Sequence, residues 1–262
     1  RDLHSFPTRR SSDLYEVFLL VFIRVSGIFL ISPFFSAQNI PNTIKIGFSF
    51  ILSILISLSF DLNYNTEELS FLATIPKELI VGLIIGFISY MFFTIFYIMG
   101  QLIDMKIGFG MVNVMDPQHK VQVPIMGNFY YILSLLILFS INGHHIIINA
   151  IVDSYEYIPI GKFTFSESIA FSLINILSKT FVIGFKLAMP IIAIIFLIDL
   201  LLGILARTIP QMNVFVVGMP LKILVGLLLT SITMPIFYSI STGIFNETID
   251  EIYYFLKSFV EG

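Results

Sequence analysis

The sequence contains no cysteine and no tryptophan, and only 12% of its residues are charged. Without cysteine, disulfide frameworks, thiolate metal sites and cysteine nucleophiles are excluded. The charged fraction is about half of the roughly 25% that is typical of a soluble domain. The net charge is −3, and no basic block occurs, which argues against nucleic acid as a partner.

Apolar residues make up 57% of the chain, and the mean hydropathy is +0.96. A chain of this length cannot bury so much apolar surface in its own core, so lipid is the expected second solvent. Each apolar run is near the ~20 residues that cross a membrane as a helix, and the runs do not alternate as barrel strands do. The sequence therefore predicts an all-α polytopic membrane protein of about six apolar helices or hairpins. The runs are Tyr15–Ile31, Ile44–Phe60, Leu79–Ile103, Ile125–Ile141, Thr180–Leu205 and Val214–Phe237.

The first fourteen residues differ in character from the rest of the chain. Residues 1–14 are polar, and they stop where Tyr15 opens the first apolar run. Two interpretations are open: a non-native, adapter-like translation, or a short disordered tail. We expect residues 15–262 to form a single domain.

Charged residues fall well inside several of the apolar runs. A charge at the bilayer centre costs ~2.5–3.5 kcal/mol on insertion scales, so such residues usually face a protein interior or an aqueous path. We interpret them as intramembrane polar sites. They are Arg24, Lys186, Asp199 and Lys222.

Proline and glycine positions suggest how the helices pack. Pro190 and Pro220 are expected to interrupt the fifth and sixth runs, because proline donates no backbone hydrogen bond. Gly82 and Gly86 form a small-xxx-small face in the third run, which favours close helix packing.

The loop between the third and fourth runs has an unusual composition. It combines glycine hinges, soft apolar side chains and an Asp-Pro turn. Such a loop could seal a pore and move aside, and the alternative is a plain connector. The preceding Asp104 would ordinarily mark an interfacial helix end. The candidate gate residues are Gly108, Phe109, Gly110, Met111, Met115, Asp116 and Pro117.

Catalytic patterns are absent from the sequence. No G-x-S-x-G, P-loop, dinucleotide fingerprint or H-x-x-x-H occurs. His144 and His145 are adjacent and cannot both face one metal ion from a helix, so they are expected at a membrane surface. We expect no catalytic residue, no metal and no cofactor.

Several stretches together point to one family. They are Phe22–Gly27 with Pro33-Phe34, Gly100–Asp104 with Gly108 and Asp116-Pro117, Gly143-His144, Arg207–Phe215 and Gly218–Lys222. From Tyr15 to the C-terminus the sequence resembles the FliR family of type III secretion export-gate proteins. The Gly-x-Pro-x-Lys form resembles the flagellar branch, although the injectisome branch is close. Met105 departs mildly from the glutamine that family members commonly carry there.

The resemblance implies a partner set and a location. Family members assemble with FliP and FliQ into a closed gate in the bacterial inner membrane, at the flagellar basal body, and FlhB wraps the cytoplasmic side. Exported flagellar proteins would be transient substrates, and lipid would surround part of the gate. The chain would have a FliP-like part (about 15–170) and a FliQ-like hairpin with a tail (about 171–262).

The resemblance also assigns sites. The plug loop of the family corresponds to Gly108–Val123, and the connector between the last two runs would contact FlhB or FliQ. The residues implied in that contact are Arg207, Pro210, Gln211 and Asn213.

Three alternatives remain beside a flagellar export gate. One is the same role in an injectisome. A small-solute transporter would use Asp199 and Lys186 as a coupling pair, but it would need an inverted repeat, which the loop and proline pattern does not display. An assembly scaffold would tolerate changes in the loop and would depend on the Gly82 and Gly86 face.

Overall fold

The computed structural model describes residues 11–36, 40–59, 71–110, 124–165 and 167–258. Within these ranges every regular element is a helix, which confirms the predicted all-α class. The helices are α1 (Ser11–Ile31), α2 (Pro33–Ser36), α3 (Asn42–Ser59), α4 (Phe71–Ile107), α5 (Ile125–Ser140), α6 (Gly143–Tyr157), α7 (Glu167–Thr208) and α8 (Val214–Lys257).

Five of these helices, α1, α3, α4, α7 and α8, are long and apolar enough to cross a membrane. Helices α5 and α6 reach that length only together, as a pair broken at Ile141 and Asn142. Asn142 has a φ of 54°, in the left-handed region that asparagine tolerates better than most residues. The described part of the chain thus contains five or six spans, close to the predicted number.

Three helices extend well beyond the predicted runs. Helices α4, α7 and α8 contain 37, 42 and 44 residues. At 1.5 Å per residue they are roughly 55–65 Å long, about twice the ~30 Å of a hydrocarbon core. Pro190 and Pro220 lie inside continuous helices, so the prediction that they interrupt these runs is wrong. An apolar helix tolerates proline because the one lost hydrogen bond is compensated locally.

The chain forms two compact units. The first contains Arg1–Tyr90, His144–Leu173 and Thr248–Gly262, and the second contains Met91–Gly143 and Ile174–Glu247. The division into FliP-like and FliQ-like parts stays a prediction.

In the first unit, glycines allow α1 to lie directly against α4. A Cβ at Gly86 would lie 3.2 Å from the carbonyl oxygen of Ile28, and one at Gly82 would collide with the carbonyl group of Arg24. The contact at Gly82 requires glycine, and the contact at Gly86 is tighter than most side chains make. The predicted small-residue face is therefore used for packing within this chain.

The core of the second unit is aromatic. The rings of Phe92 and Phe245 lie 5.5 Å apart, and the ring of Phe237 lies 5.1 Å from both Phe96 and Tyr130. Most of these pairs meet edge to face or tilted, the geometries that aromatic quadrupoles favour. They join α4, α5 and α8.

Candidate gate loop and intramembrane polar sites

The start of the predicted gate loop is well defined. Helix α4 ends at Ile107, and Gly108 follows with a φ of 102°. Its amide donates to the carbonyl oxygen of Asp104 at 3.1 Å, which ends the helix with a left-handed glycine. Phe109 is half-buried and Gly110 is exposed. The remaining predicted gate residues, Met111, Met115, Asp116 and Pro117, lie outside the described residues.

Asp104 joins the two ends of this loop. Its side chain is 4% exposed, and its carboxylate accepts hydrogen bonds from the Met126 amide at 2.9 and 3.0 Å and from the Gly127 amide at 3.3 Å. These amides belong to the first turn of α5, where the N-cap residue Pro124 makes no side-chain cap. A carboxylate at a helix N-terminus satisfies free amides and complements the helix dipole. Asp104 is thus a buried clamp in the last turn of α4, and the location of this helix end at a membrane interface stays a prediction.

Gly100 makes this clamp possible. It lies one turn before Asp104, on the same face of α4. A Cβ at Gly100 would lie 2.5 Å from the backbone of Gly127 and would also collide with the carbonyl oxygen of Met126. The Gly100–Asp104 motif therefore combines close helix contact with a cap. It holds residues 104 and 126 together across the predicted gate loop.

Replacing Asp104 with alanine should loosen the first turn of α5, because its amides lose their acceptor. Loss of a capping side chain costs about 0.5–2 kcal/mol, so local opening should increase up to roughly thirtyfold. Hydrogen exchange at Met126 and Gly127 measures this opening directly. Asp104→Asn should retain part of the protection, and Met105→Ala, at an exposed neighbour, should retain all of it. Unchanged exchange in Asp104→Ala would contradict the clamp.

A cavity of about 520 Å³ adjoins the start of the loop. Gly108 and Gly110 line it together with Asp199 and Lys222, which form an ion pair across α7 and α8. Met219 lies on the same wall, 3.9 Å from a Cβ built at Gly108. The structure thus brings two predicted sites together, the hinge of the gate loop and one intramembrane charge pair.

Arg24 has a partner that the sequence patterns did not reveal. Its Nε donates to Glu78 Oε2 at 2.7 Å, and both side chains are fully buried. Its Nη1 donates to the carbonyl oxygen and hydroxyl of Ser154, each at 3.1 Å, and its Nη2 donates to the carbonyl oxygen of Ile158 at 2.9 Å. The guanidinium therefore has acceptors on three sides, as a buried charge requires.

Glu78 and a stacked ring complete this site. The second carboxylate oxygen of Glu78 accepts from the Gly161 amide at 2.9 Å. The Cζ of Arg24 lies 4.1 Å from the ring centre of Tyr155, a cation–π distance. Arg24 thus ties α1 to α4 and to α6 with the turn that follows it. In the sequence, Glu78 follows Lys77 and immediately precedes the predicted third run. The two charged residues therefore looked like the polar end of a membrane helix.

The connector between α7 and α8 exposes the residues that were assigned to partner contact. Arg207, Pro210, Gln211 and Asn213 are all exposed. Asn213 also caps α8, since its Oδ1 accepts from the amides of Phe215 at 3.1 Å and Val216 at 3.4 Å. Its structural role is clear, and contact of this segment with a partner stays a prediction.

His144 and His145 occupy the first turn of α6, and their ring centres lie 4.2 Å apart. Within the described ranges no group of three or more His, Cys, Asp and Glu residues could hold a metal ion.

Long apolar helices and buried charges define a multi-pass membrane protein. Residues 15–248 match the family described as bacterial export proteins, family 1. A relative named flagellar biosynthetic protein FliR from Bacillus subtilis (strain 168) is 38% identical over 91% of this chain and 93% of its own length. FliR of Aquifex aeolicus is 30% identical over 95% of this chain and 97% of its own. FliR of Escherichia coli K12 is 27% identical over 86% of this chain and 87% of its own length. The chain belongs to the FliR family.

Proposed function

We propose that this chain is a subunit of the flagellar type III export gate in the bacterial inner membrane, at the flagellar basal body. FliP, FliQ and FlhB would be its partners, and exported flagellar proteins would be its transient substrates. The observation that carries the proposal is the match to proteins named flagellar biosynthetic protein FliR, which extends over 93% of the length of the Bacillus relative.

The surface of the helices supports assembly with other subunits. Only 22% of the apolar span in α7 and 17% of that in α8 is buried within the chain. Large side chains such as Phe171, Phe196 and Phe215 are more than half exposed on them. Apolar faces of this size need lipid or protein neighbours. An oligomeric gate would cover them in part.

The loop geometry supports a gating role for the segment that begins at Gly108. The Asp104 clamp fixes the base of the loop against α5, while Gly108 and Gly110 lie at its start beside a cavity. A fixed base and a glycine hinge would let the loop close a path and open it without disturbing the helices. Phe109, Met111 and Met115 would provide the apolar seal, and this chain would carry out no chemistry.

Co-expression tests the proposal. Tagged residues 15–262 would be produced with FliP and FliQ from the same source, and the detergent-extracted material would be weighed by native mass spectrometry. We expect a single assembly that holds one copy of this chain. A chain that purifies alone or as a homo-oligomer beside well-expressed partners would contradict the proposal.

A further inference from the structure

Lys186 is an exposed ammonium group in the middle of an apolar helix. It lies near the centre of α7, roughly 30 Å from each end at 1.5 Å per residue. Its neighbours on the helix are apolar and about half exposed: Phe181 at 56%, Phe185 at 51% and Met189 at 43%. An ammonium on such an apolar helix face is costly wherever that face meets lipid, so another group should cover it.

The acidic groups that lie deepest in the described apolar spans of this chain are already engaged. Glu78 is held by Arg24, Asp199 by Lys222, and Asp104 by the amides of α5. Lys186 itself has no ion pair or hydrogen bond within the described residues. In a second copy of the chain the same groups would be engaged, and Glu16 and Asp250 lie near the ends of α1 and α8, so a different polypeptide is the better source of the covering group.

Lys186 borders a groove that suits a helix. The groove lies between α4 and α7, has a volume of about 780 Å³, and is apolar except for Lys186 and Gln101. Gln101 is exposed and contributes an amide on the opposite wall. A carboxylate placed in the groove could accept hydrogen bonds from both side chains, and the apolar remainder of a helix could pack on Phe181, Phe185 and Met189.

We propose that this groove is the docking site for a membrane helix of another export-gate subunit, apolar except for one Asp or Glu that pairs with Lys186. The proposal rests on the proposed function, because it requires a hetero-oligomer. It goes beyond that function by naming the surface and the chemistry of the helix that occupies it.

Site-specific cross-linking and charge reversal test this docking site. A photo-reactive residue at Phe185 in the co-expressed complex should cross-link to one partner subunit, at a helix with a carboxylate within one turn. The same residue at Leu197, exposed on α7 away from the groove, serves as the control. Lys186→Glu should reduce the yield of the complex at least tenfold, Lys186→Arg should preserve it, and lysine at the partner carboxylate should rescue Lys186→Glu.

Lys179→Glu is the matched control for charge reversal, because Lys179 lies on the same helix and already pairs with Glu247 at 2.7 Å. It should leave the yield of complex near that of the unaltered chain. A complex that survives Lys186→Glu, or a Phe185 cross-link to lipid or to a second copy of this chain, would overturn the docking site alone. Failure of the unaltered chain to assemble with any partner would overturn the proposed function as well.

Discussion

Replacing Glu78 with alanine is expected to destabilise the first unit by about 3–5 kcal/mol, the usual result of leaving one member of a buried ion pair without its partner. The Arg24 guanidinium would keep its carbonyl acceptors on Ser154 and Ile158 but would lose its only carboxylate within the described residues. A fully buried cation without a counter-charge is the costly state. The loss should therefore exceed that of any surface charge in the chain.

Cysteine labelling can measure this effect, because the chain contains no native cysteine. A single cysteine at Val25, a fully buried position on α1, should react only when the unit opens. Glu78→Ala should raise the labelling rate by at least a hundredfold. Glu156→Ala removes an exposed carboxylate on α6 in the same unit, which should change the free energy of unfolding by at most about 0.5 kcal/mol, and it serves as the control. Equal labelling rates in the two variants would contradict a stabilising role of the pair.

A double replacement separates the ion pair from simple packing. Arg24→Met with Glu78→Leu removes both charges and keeps apolar volume in the site. Buried ion pairs often exchange for apolar residues at little cost, so the double variant should be more stable than Glu78→Ala. A double variant as unstable as Glu78→Ala would show that side-chain volume, and not charge balance, determines stability here.

The sequence predicted the helices better than it predicted the contacts between them. Long apolar runs identify membrane helices because lipid permits few other backbone structures. The starts of α4 and α7 were predicted too late and the end of α8 too early, since each helix continues beyond its apolar run. The helices α7 and α8 also continue through Pro190 and Pro220. Local propensity weakens the helix at these positions, but the surrounding helix is long enough to continue.

For the polar sites, the sequence identified the charged residues but not the groups that they contact. Arg24 was recognisable as a buried charge, but Glu78 is 54 residues away, and no local pattern connects the two. Asp104 was visible as an acidic residue near a helix end, while its acceptor role depends on the free amides of α5, which have no signature of their own. A buried arginine requires a carboxylate, so a search for acidic residues at the edges of the apolar runs could have found Glu78.

Deleting residues 110–115 is expected to make the assembled gate leak ions. The deletion removes Gly110, Met111 and Met115, three of the residues proposed to hinge the loop and seal the path, and leaves the Asp104 clamp intact. Because the base of the loop remains fixed, the helices should still assemble and the leak should arise in the loop itself. Decay of a proton gradient across vesicles that contain the complex measures it, and we expect decay at least tenfold faster than with the unaltered chain.

Two comparisons make the result specific to the loop. Deleting residues 3–8, an equally long segment outside the family match, from a complex assembled with the full chain of 262 residues should leave the gradient as stable as in the unaltered complex. Asp104→Ala should give an intermediate leak, because a loosened base lets the loop leave the path more often. An unchanged conductance in the loop deletion, with the complex still formed, would exclude the sealing role and favour a scaffold. A leak in the loop deletion and in Asp104→Ala, but not in the 3–8 deletion, would connect the buried clamp to the seal.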